Sequence, residues 1–183
     1  MKPILVLDTE TTGLLLHPDV SLDLQPRMVE FGGIYLDSED GRIISEFQQK
    51  INPEIHIPEE TTRVHGLTDE DVANCPTFYR YAARLYDIIL GARVIVAHNL
   101  PFDKTIIMME CERNGYPEIP IAWRDCKEVC TIDVYREQFG KEMRLTALYE
   151  AVCGHKLAQE HRGLADVRAL VDIIQKDRLW EIF

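Results

Sequence analysis

Residues 3–13, PILVLDTETTG, form the stretch of sequence that decides the fold. The run from Pro3 to Asp8 is almost continuously apolar and rich in branched side chains, which predicts a central strand covered on both faces. Asp8 ends this predicted strand, and Glu10 follows two positions later. Because side chains alternate between the two faces of a strand, both carboxylates are expected on one face. Alone, such a pair is as compatible with a solvated strand end as with a functional site.

Downstream of this strand, the hydrophobic pattern predicts two more strands and then alternating elements. Residues 28–36 and 42–51 flank the polar turn 37–41, which favours an antiparallel hairpin. A helix at about 77–90 precedes a short apolar strand at 93–97. The remaining predicted elements are a helix ending near residue 115, a fifth strand at 128–132 and helices at about 133–139, 144–153 and 163–180. This order predicts an α/β fold with a five-stranded mixed sheet and helices on both faces.

Two stretches are expected to be irregular. Residues 13–26 are rich in turn-forming residues and predict a loop, although Leu14–Leu16 are apolar. These leucines either touch a ligand or pack beneath the loop, and packing is favoured. Residues 114–127 contain two prolines and predict a connection. Since no repeat or long polar linker interrupts the sequence, a single domain spanning 1–183 is expected.

The composition limits the class of protein. The chain has 183 residues, of which 46% are hydrophobic and 28% charged, as in ordinary globular proteins. No apolar stretch approaches the ~20 residues needed to cross a bilayer, so no membrane segment is expected. Five cysteines at irregular spacing favour reduced thiols and a cytoplasmic location over a disulfide framework.

The formal net charge of −11 argues against a protein that holds nucleic acid through a broad basic surface. Lysine and arginine contacts with phosphates supply most non-specific affinity in such proteins. A carboxylate-lined site can still bind a phosphodiester when divalent cations lie between the two, and its carboxylates contribute to the negative charge. The charge therefore limits how a nucleic acid binds without excluding one.

Two further acidic residues occupy positions suited to a site. Asp103 follows the predicted strand 93–97 at its junction with a helix, beyond the carboxyl end of the strand, where open α/β sheets place functional groups. In isolation, an acid that stabilises the first turn of a helix is the simpler explanation of Asp103. Asp166 lies on the last predicted helix, whose apolar residues recur at the spacing of a core-facing stripe.

His161 lies five residues before Asp166. On one continuous helix, at ~100° per residue, the two side chains would point well apart, so His161 is expected in the loop that leads into the helix. A single histidine near a helix start is more often a surface or capping residue than a catalytic one, and the chain has six histidines. Its position is informative only in combination with the acidic residues.

Taken in order, Asp8–Gly13, His98–Asp103 and the pair His161 and Asp166 resemble the three motifs of the DEDDh 3′-to-5′ exonuclease family. That family includes the proofreading epsilon subunit of bacterial replicases and ribonuclease T. The resemblance covers about residues 4–175. Two further stretches resemble signatures of the same family: Val29–Gly32 in the second strand and Val64–Thr68 in a downstream turn. One departure is Gly163, which stands where an alanine or a similar small residue is usual.

The resemblance implies a ribonuclease H-like fold and two bound divalent cations, Mg²⁺ or Mn²⁺. Asp8, Glu10 and Asp166 would ligate one cation, and Asp8 would help to hold the second. Asp103 would complete the metal-binding set, acting largely through water. His161 would serve as the general base. Together these five residues would form the catalytic set.

The resemblance also implies the substrate contacts and the reaction. Thr11, Thr12 and Gly13 would contact the terminal nucleotide, the last two through the backbone, and His65 and Asn99 would lie near the substrate. The implied reaction is hydrolysis of terminal phosphodiester bonds of single-stranded nucleic acid, with DNA favoured. It would release nucleoside 5′-monophosphates from 3′ ends.

Other functions remain open from the sequence. The closest alternative is an RNA-trimming or oligoribonucleotide exonuclease of the same fold, because discrimination of the 2′-hydroxyl depends on pocket shape. A non-catalytic polymerase accessory module is less favoured, because all five core residues are present. The expected partners are single-stranded 3′ ends, with a DNA polymerase or another replication protein as a further candidate. The sequence does not determine the oligomeric state, the cation used in the cell or the role of the 14–26 loop.

Overall fold

A computed structural model describes residues 2–157 and 163–183. Its centre is a five-stranded mixed sheet with the strand order β3-β2-β1-β4-β5. The first strand pairs antiparallel with the second and parallel with the fourth, and the second and third form the expected hairpin. The strands are β1 (Ile4–Thr11), β2 (Met28–Leu36), β3 (Ile43–Lys50), β4 (Val94–Ala97) and β5 (Lys127–Cys130). The predicted α/β fold is thus confirmed.

Helices cover both faces of the sheet. The helices of the described ranges are α1 (Glu59–His65), α2 (Asp69–Val72), α3 (Phe78–Gly91), α4 (Leu100–Asn114), α5 (Glu118–Trp123), α6 (Thr131–Phe139), α7 (Leu145–Cys153) and α8 (Gly163–Lys176). Leu5 and Leu7 pack in the cluster formed with α3, α4 and α5. Ile4 and Val6 pack in the cluster formed with α6, α7 and α8. Alternate residues of β1 therefore enter opposite cores, which explains its continuous apolar run.

Several boundaries differ from those predicted. β1 continues past Asp8 to Thr11, so both acidic residues lie within the strand rather than at and beyond its end. The fifth strand ends at Cys130, because α6 begins at the next residue. α8 ends at Lys176, and Arg178 then adopts a left-handed conformation before a single 3₁₀ turn.

The predicted connection at 114–127 contains the short helix α5, which buries Ile119 and Trp123. Pro117 lies just before this helix and Pro120 in its first turn, where a missing N–H costs no intrahelical hydrogen bond. The two prolines therefore permit a helix here. Among the described residues, no helix has the length and apolar character needed to cross a bilayer.

Candidate active site

Three carboxylates from two elements meet at one face of the sheet. Asp8 and Glu10 lie on β1, and Asp166 lies in the first turn of α8. One oxygen from each side chain lies within 4.8 Å of the others. The alternation of side chains along β1 places the first two on the same face, as predicted, and the packing of α8 across that face brings the third to them.

Asp103 reaches the same region from the first turn of α4 and is 2% exposed. Its Oδ1 accepts hydrogen bonds from the Thr9 backbone N–H at 2.9 Å and from the Thr9 hydroxyl at 2.8 Å. It lies outside the group of three, but its charge acts on both β1 carboxylates. Thr9, which the sequence did not single out, thus joins the site by holding Asp103 against β1.

The carboxylates repel one another in the absence of a cation. Burial raises the pKa of Asp8 well above its ordinary value, and the charges of Asp103, Glu10 and Asp166 raise it further. Burial, with the charges of Asp166 and Glu30, raises the pKa of Glu10 to about 7. Burial also raises the pKa of Asp103 to about 7. This set of hard oxygen donors fits Mg²⁺ or Mn²⁺, whose charge would relieve the repulsion.

We expect the metal-free protein to lose stability as pH rises from 4.5, the ordinary pKa of glutamate, towards the folded-state value of about 7 for Glu10. In this range the folded state binds more protons than the unfolded state, so the free energy of unfolding falls with rising pH. Saturating Mg²⁺ should oppose this loss, stabilising the fold by about 2.7 kcal/mol at 100 times its dissociation constant. Thermal melts at about pH 5 and pH 8, in EDTA and in Mg²⁺, measure both effects.

The Glu10→Gln variant is the control for this prediction, because it removes one of the titrating groups. Its melting temperature in EDTA should depend less on pH than that of the wild type. Equal pH dependence in the two proteins would show that the loss of stability arises elsewhere. An unchanged melting temperature in millimolar Mg²⁺ would contradict cation binding.

The end of β1 is held by its own hydrogen bonds. The Thr12 backbone N–H donates to the Arg27 carbonyl at 2.9 Å, and the Arg27 N–H donates to the Thr12 hydroxyl at 2.9 Å. The Thr11 hydroxyl donates to the Gly13 carbonyl at 2.7 Å. Both threonine side chains are thereby engaged within the protein, while Gly13 is half-buried and lines a cleft of about 510 Å³. Contacts to a ligand would therefore involve the backbone here.

The loop after Gly13 forms one wall of this cleft. The buried Gln25 side chain accepts from the Leu16 N–H at 3.0 Å and donates to the His17 carbonyl at 3.1 Å, so it organises the loop from inside. Leu14 is 81% exposed and Leu16 is 47% exposed. The expectation that the leucines pack beneath the loop is therefore wrong for these two, whereas Leu15 is half-buried and packs against the core as expected.

His65 lies behind the end of β1 and is 2% exposed. Its Nδ1 accepts from the Leu67 N–H at 3.1 Å, so the proton of the neutral ring is on Nε2. Burial lowers the pKa of His65, and the neighbouring Thr11 carbonyl partly opposes this change. The ring is thus placed to support the strand end, and its burial disfavours direct contact with a substrate.

The junction between β4 and α4 brings His98 and Asn99 to the same edge of the sheet. The His98 Nε2 lies 3.0 Å from the Met143 carbonyl, which can only accept, so Nε2 donates and Nδ1 accepts from the Thr131 hydroxyl at 3.0 Å. His98 is therefore structural. Asn99 is exposed in a left-handed conformation immediately before α4. His161 lies outside the described residues.

Glu30 and Gly32 are two residues of the site region whose roles the sequence did not indicate. They lie in the Val29–Gly32 stretch, directly across the β1–β2 pairing from Glu10 and Asp8, respectively. The resemblance of this stretch to a family signature could have indicated that they belong to the site. Their contacts with α8 could not be predicted, because they form only in the folded chain.

Comparisons with known proteins agree with this arrangement. The sequence model of the exonuclease family RNase_T matches residues 5–174. The DNA polymerase III epsilon subunit of Rickettsia felis is 30% identical over 173 residues, covering 92% of this chain and 71% of that protein. The PolC-type DNA polymerase III of Lactococcus lactis is 30% identical over 165 residues, covering 90% of this chain and 9% of that protein.

Solved structures show the same fold. The nuclease domain of 3′hExo, described as a DEDDh family member bound to rAMP, has a TM-score of 0.75 at 19% identity. The match covers 97% of this chain and 92% of that domain. The ribonuclease H-like fold is thereby confirmed. The chain spans a quarter or less of the length of several curated relatives that it matches.

Proposed function

This chain belongs to the DEDDh exonuclease family, and from that premise we propose that it is a metal-dependent 3′-to-5′ exonuclease acting on single-stranded nucleic acid. The observation that carries the proposal is the convergence of Asp8, Glu10 and Asp166 within 4.8 Å, with Asp103 beside them. Carboxylates crowded in this way are suited to hold a cation, whose charge would offset their repulsion, and cations held by carboxylates can bind a phosphodiester. We propose that residues 1–183 form one exonuclease domain.

We propose that Asp8, Glu10 and Asp166 hold divalent cations, with Asp103 completing the set through water. Two cations, Mg²⁺ or Mn²⁺, would suit in-line displacement, in which they stabilise the charge on the attacking and leaving oxygens. The role of the protein is to fix these carboxylates rigidly. β1 supplies two of them from one strand, and Thr9 holds the fourth through two hydrogen bonds.

In the proposed reaction, the oxygen of a water molecule bonds to the terminal phosphorus, and the bond from phosphorus to the 3′-oxygen breaks. The leaving 3′-oxygen takes a proton from solvent water, so the products are a nucleoside 5′-monophosphate and a strand shortened by one nucleotide with a 3′-hydroxyl. His161 would accept the proton of the attacking water on its imidazole, because a neutral histidine is a suitable base near pH 7. The assignment of this role to His161 rests on the resemblance of the sequence to the DEDDh family.

The terminal nucleotide would lie against the backbone of residues 11–13, with the exposed Asn99 on the β4 side. The cleft beside Gly13, walled by Leu14 and Ile55, offers apolar surface on which unpaired bases could lie without regard to sequence. DNA is favoured as the substrate because curated relatives are named as DNA polymerase III proteins. A polymerase partner would compensate for the weak affinity expected from a net charge of −11.

The proposal is tested by following mononucleotide release from single-stranded DNA and RNA labelled at the 3′ or the 5′ end. We expect early release of the 3′ label, progressive shortening of 5′-labelled strands, and loss of both in EDTA. Faster digestion of DNA than of RNA would support the favoured substrate, and the reverse would indicate an RNA-trimming enzyme. Cleavage that begins at the 5′ end or persists in EDTA would contradict the proposal.

A further inference from the structure

Glu30 is a fifth carboxylate beside the site and is 1% exposed. Its charge adds to the repulsion that raises the pKa of both Asp8 and Glu10. A buried anion next to other anions is costly unless it forms compensating interactions. Both of its oxygens accept hydrogen bonds, Oε2 from the Gly163 backbone N–H at 3.0 Å and Oε1 from the Gln48 side-chain amide at 3.0 Å.

The hydrogen bond from Gly163 fixes the start of α8, the helix that carries Asp166 three residues later. The first N–H groups of a helix have no partner within the helix, and this one is satisfied by a residue 133 positions away in the sequence. The position of Asp166 relative to β1 therefore depends on where the first turn of α8 is held.

A second contact sets how closely α8 approaches the sheet. A Cβ atom on Gly32 would lie only 2.6 Å from the Gly163 carbonyl carbon and 2.8 Å from the Leu164 nitrogen. The helix thus rests directly on the backbone of β2. The two β2 residues that hold it, Glu30 and Gly32, are paired in register with Glu10 and Asp8.

The geometry assigns Glu30 as a positioning residue that, with the Gly32 contact, places Asp166 beside Asp8 and Glu10 and so completes the cation site. This inference rests on the proposed metal-dependent function. Glu30 acts through the reach of its carboxylate, because both oxygens are used in hydrogen bonds. The two β2 residues that pair with Glu10 and Asp8 thus determine where Asp166, the third carboxylate, lies.

Two variants separate the effect of the length of the Glu30 side chain from the effect of its charge. Glu30→Asp keeps the charge but withdraws the carboxylate from Gly163. Glu30→Gln removes the charge but keeps an acceptor at the same reach, since its oxygen can face Gly163 while the Gln48 amide turns to accept from its NH₂ group. A positioning role predicts that glutamine rescues and aspartate does not. A purely electrostatic role predicts the reverse.

The measurement is Mn²⁺ binding to the full chain by isothermal titration calorimetry, which does not require turnover. We expect Glu30→Asp to weaken Mn²⁺ binding by about 10-fold or more, as is typical when groups that orient metal ligands are changed. Glu30→Gln should stay within about three-fold of wild type, because the hydrogen bond is retained. Glu110→Asp is the matched control, because Glu110 is also buried and accepts from a β2 backbone N–H, that of Met28, at 3.1 Å, and the change keeps the charge that pairs with Arg113.

Wild-type affinity in the control, together with the expected order of the two variants, supports the inference. It is overturned if Glu30→Asp binds like wild type, if Glu30→Gln is the weaker binder, or if Glu110→Asp is weakened as much as Glu30→Asp. Wild-type protein that binds no Mn²⁺ would refute the cation site itself, and the inference with it. If the wild type binds Mn²⁺ but the two Glu30 variants bind equally well or in the reverse order, only the role of Glu30 is refuted.

Discussion

Asp8→Asn is expected to lower the rate of mononucleotide release by about 10³-fold and to raise the melting temperature of the metal-free protein. Asparagine keeps the shape of the side chain but removes the charge that holds a cation, and loss of one stabilising group at a reaction centre costs on this scale. The same change removes a half-buried carboxylate that Asp103, Glu10 and Asp166 repel. Activity should therefore fall while metal-free stability rises.

The measurements are the turnover rate on labelled DNA in Mg²⁺ and the melting temperature in EDTA. Asp87→Asn, at an exposed position of α3, is the matched control and should change neither. His161→Gln provides a contrast, because loss of the proposed general base should slow turnover by about 10²-fold or more while Mn²⁺ binding is retained. Near-normal turnover in Asp8→Asn would remove Asp8 from the proposed site.

The parts of the fold that the sequence predicts are those in which local pattern and burial coincide. The apolar run of β1 predicts a strand buried on both faces, and Ile4–Leu7 are fully buried between two helical layers. The spacing of Asp8 and Glu10 predicts a shared face, because strand geometry needs no distant partner. The hairpin at 28–50 is similarly local.

Features that depend on distant contacts could not be predicted in this way. Thr9 and Asp103 are 94 positions apart, and Glu30 and Gly163 are 133 positions apart, so no local pattern reveals either hydrogen bond. Leu14 looked like a packing residue from its neighbours, but its side chain is exposed, and the buried Gln25 hydrogen-bonds to the loop instead. In the first two cases a polar contact between distant positions decides the arrangement, and in the third a contact within one loop, eight or nine positions apart.

Gly32→Ala tests the backbone contact on which the placement of α8 depends. The added Cβ would lie 2.6 Å from the Gly163 carbonyl carbon, and a backbone atom cannot turn away as a side chain can. The helix must shift, at an expected cost of about 1–3 kcal/mol in the free energy of unfolding, as for other overpacked cores. This cost would lower the melting temperature in EDTA.

The shift should also move Asp166 relative to Asp8 and Glu10. Misplacement by about 1 Å can reduce a rate by about 10²-fold, and weakened cation binding contributes about another 10-fold or more. We therefore expect mononucleotide release to fall by about 10³-fold at fixed Mg²⁺ and to recover partly at high Mg²⁺. A higher Mg²⁺ concentration compensates for weaker cation binding but does not correct the position of Asp166.

Gly33→Ala is the matched control for this prediction. Its Cβ would meet side-chain atoms, Phe31 at 3.1 Å and Leu5 at 3.3 Å, which belong to the cluster on the opposite face. This variant can lose stability without moving α8, so its metal affinity and turnover should stay near wild type. If both variants lose activity in proportion to their stability, the loss reflects general destabilisation. If only Gly32→Ala loses cation binding, the close approach of α8 to β2 is what holds the third carboxylate in place.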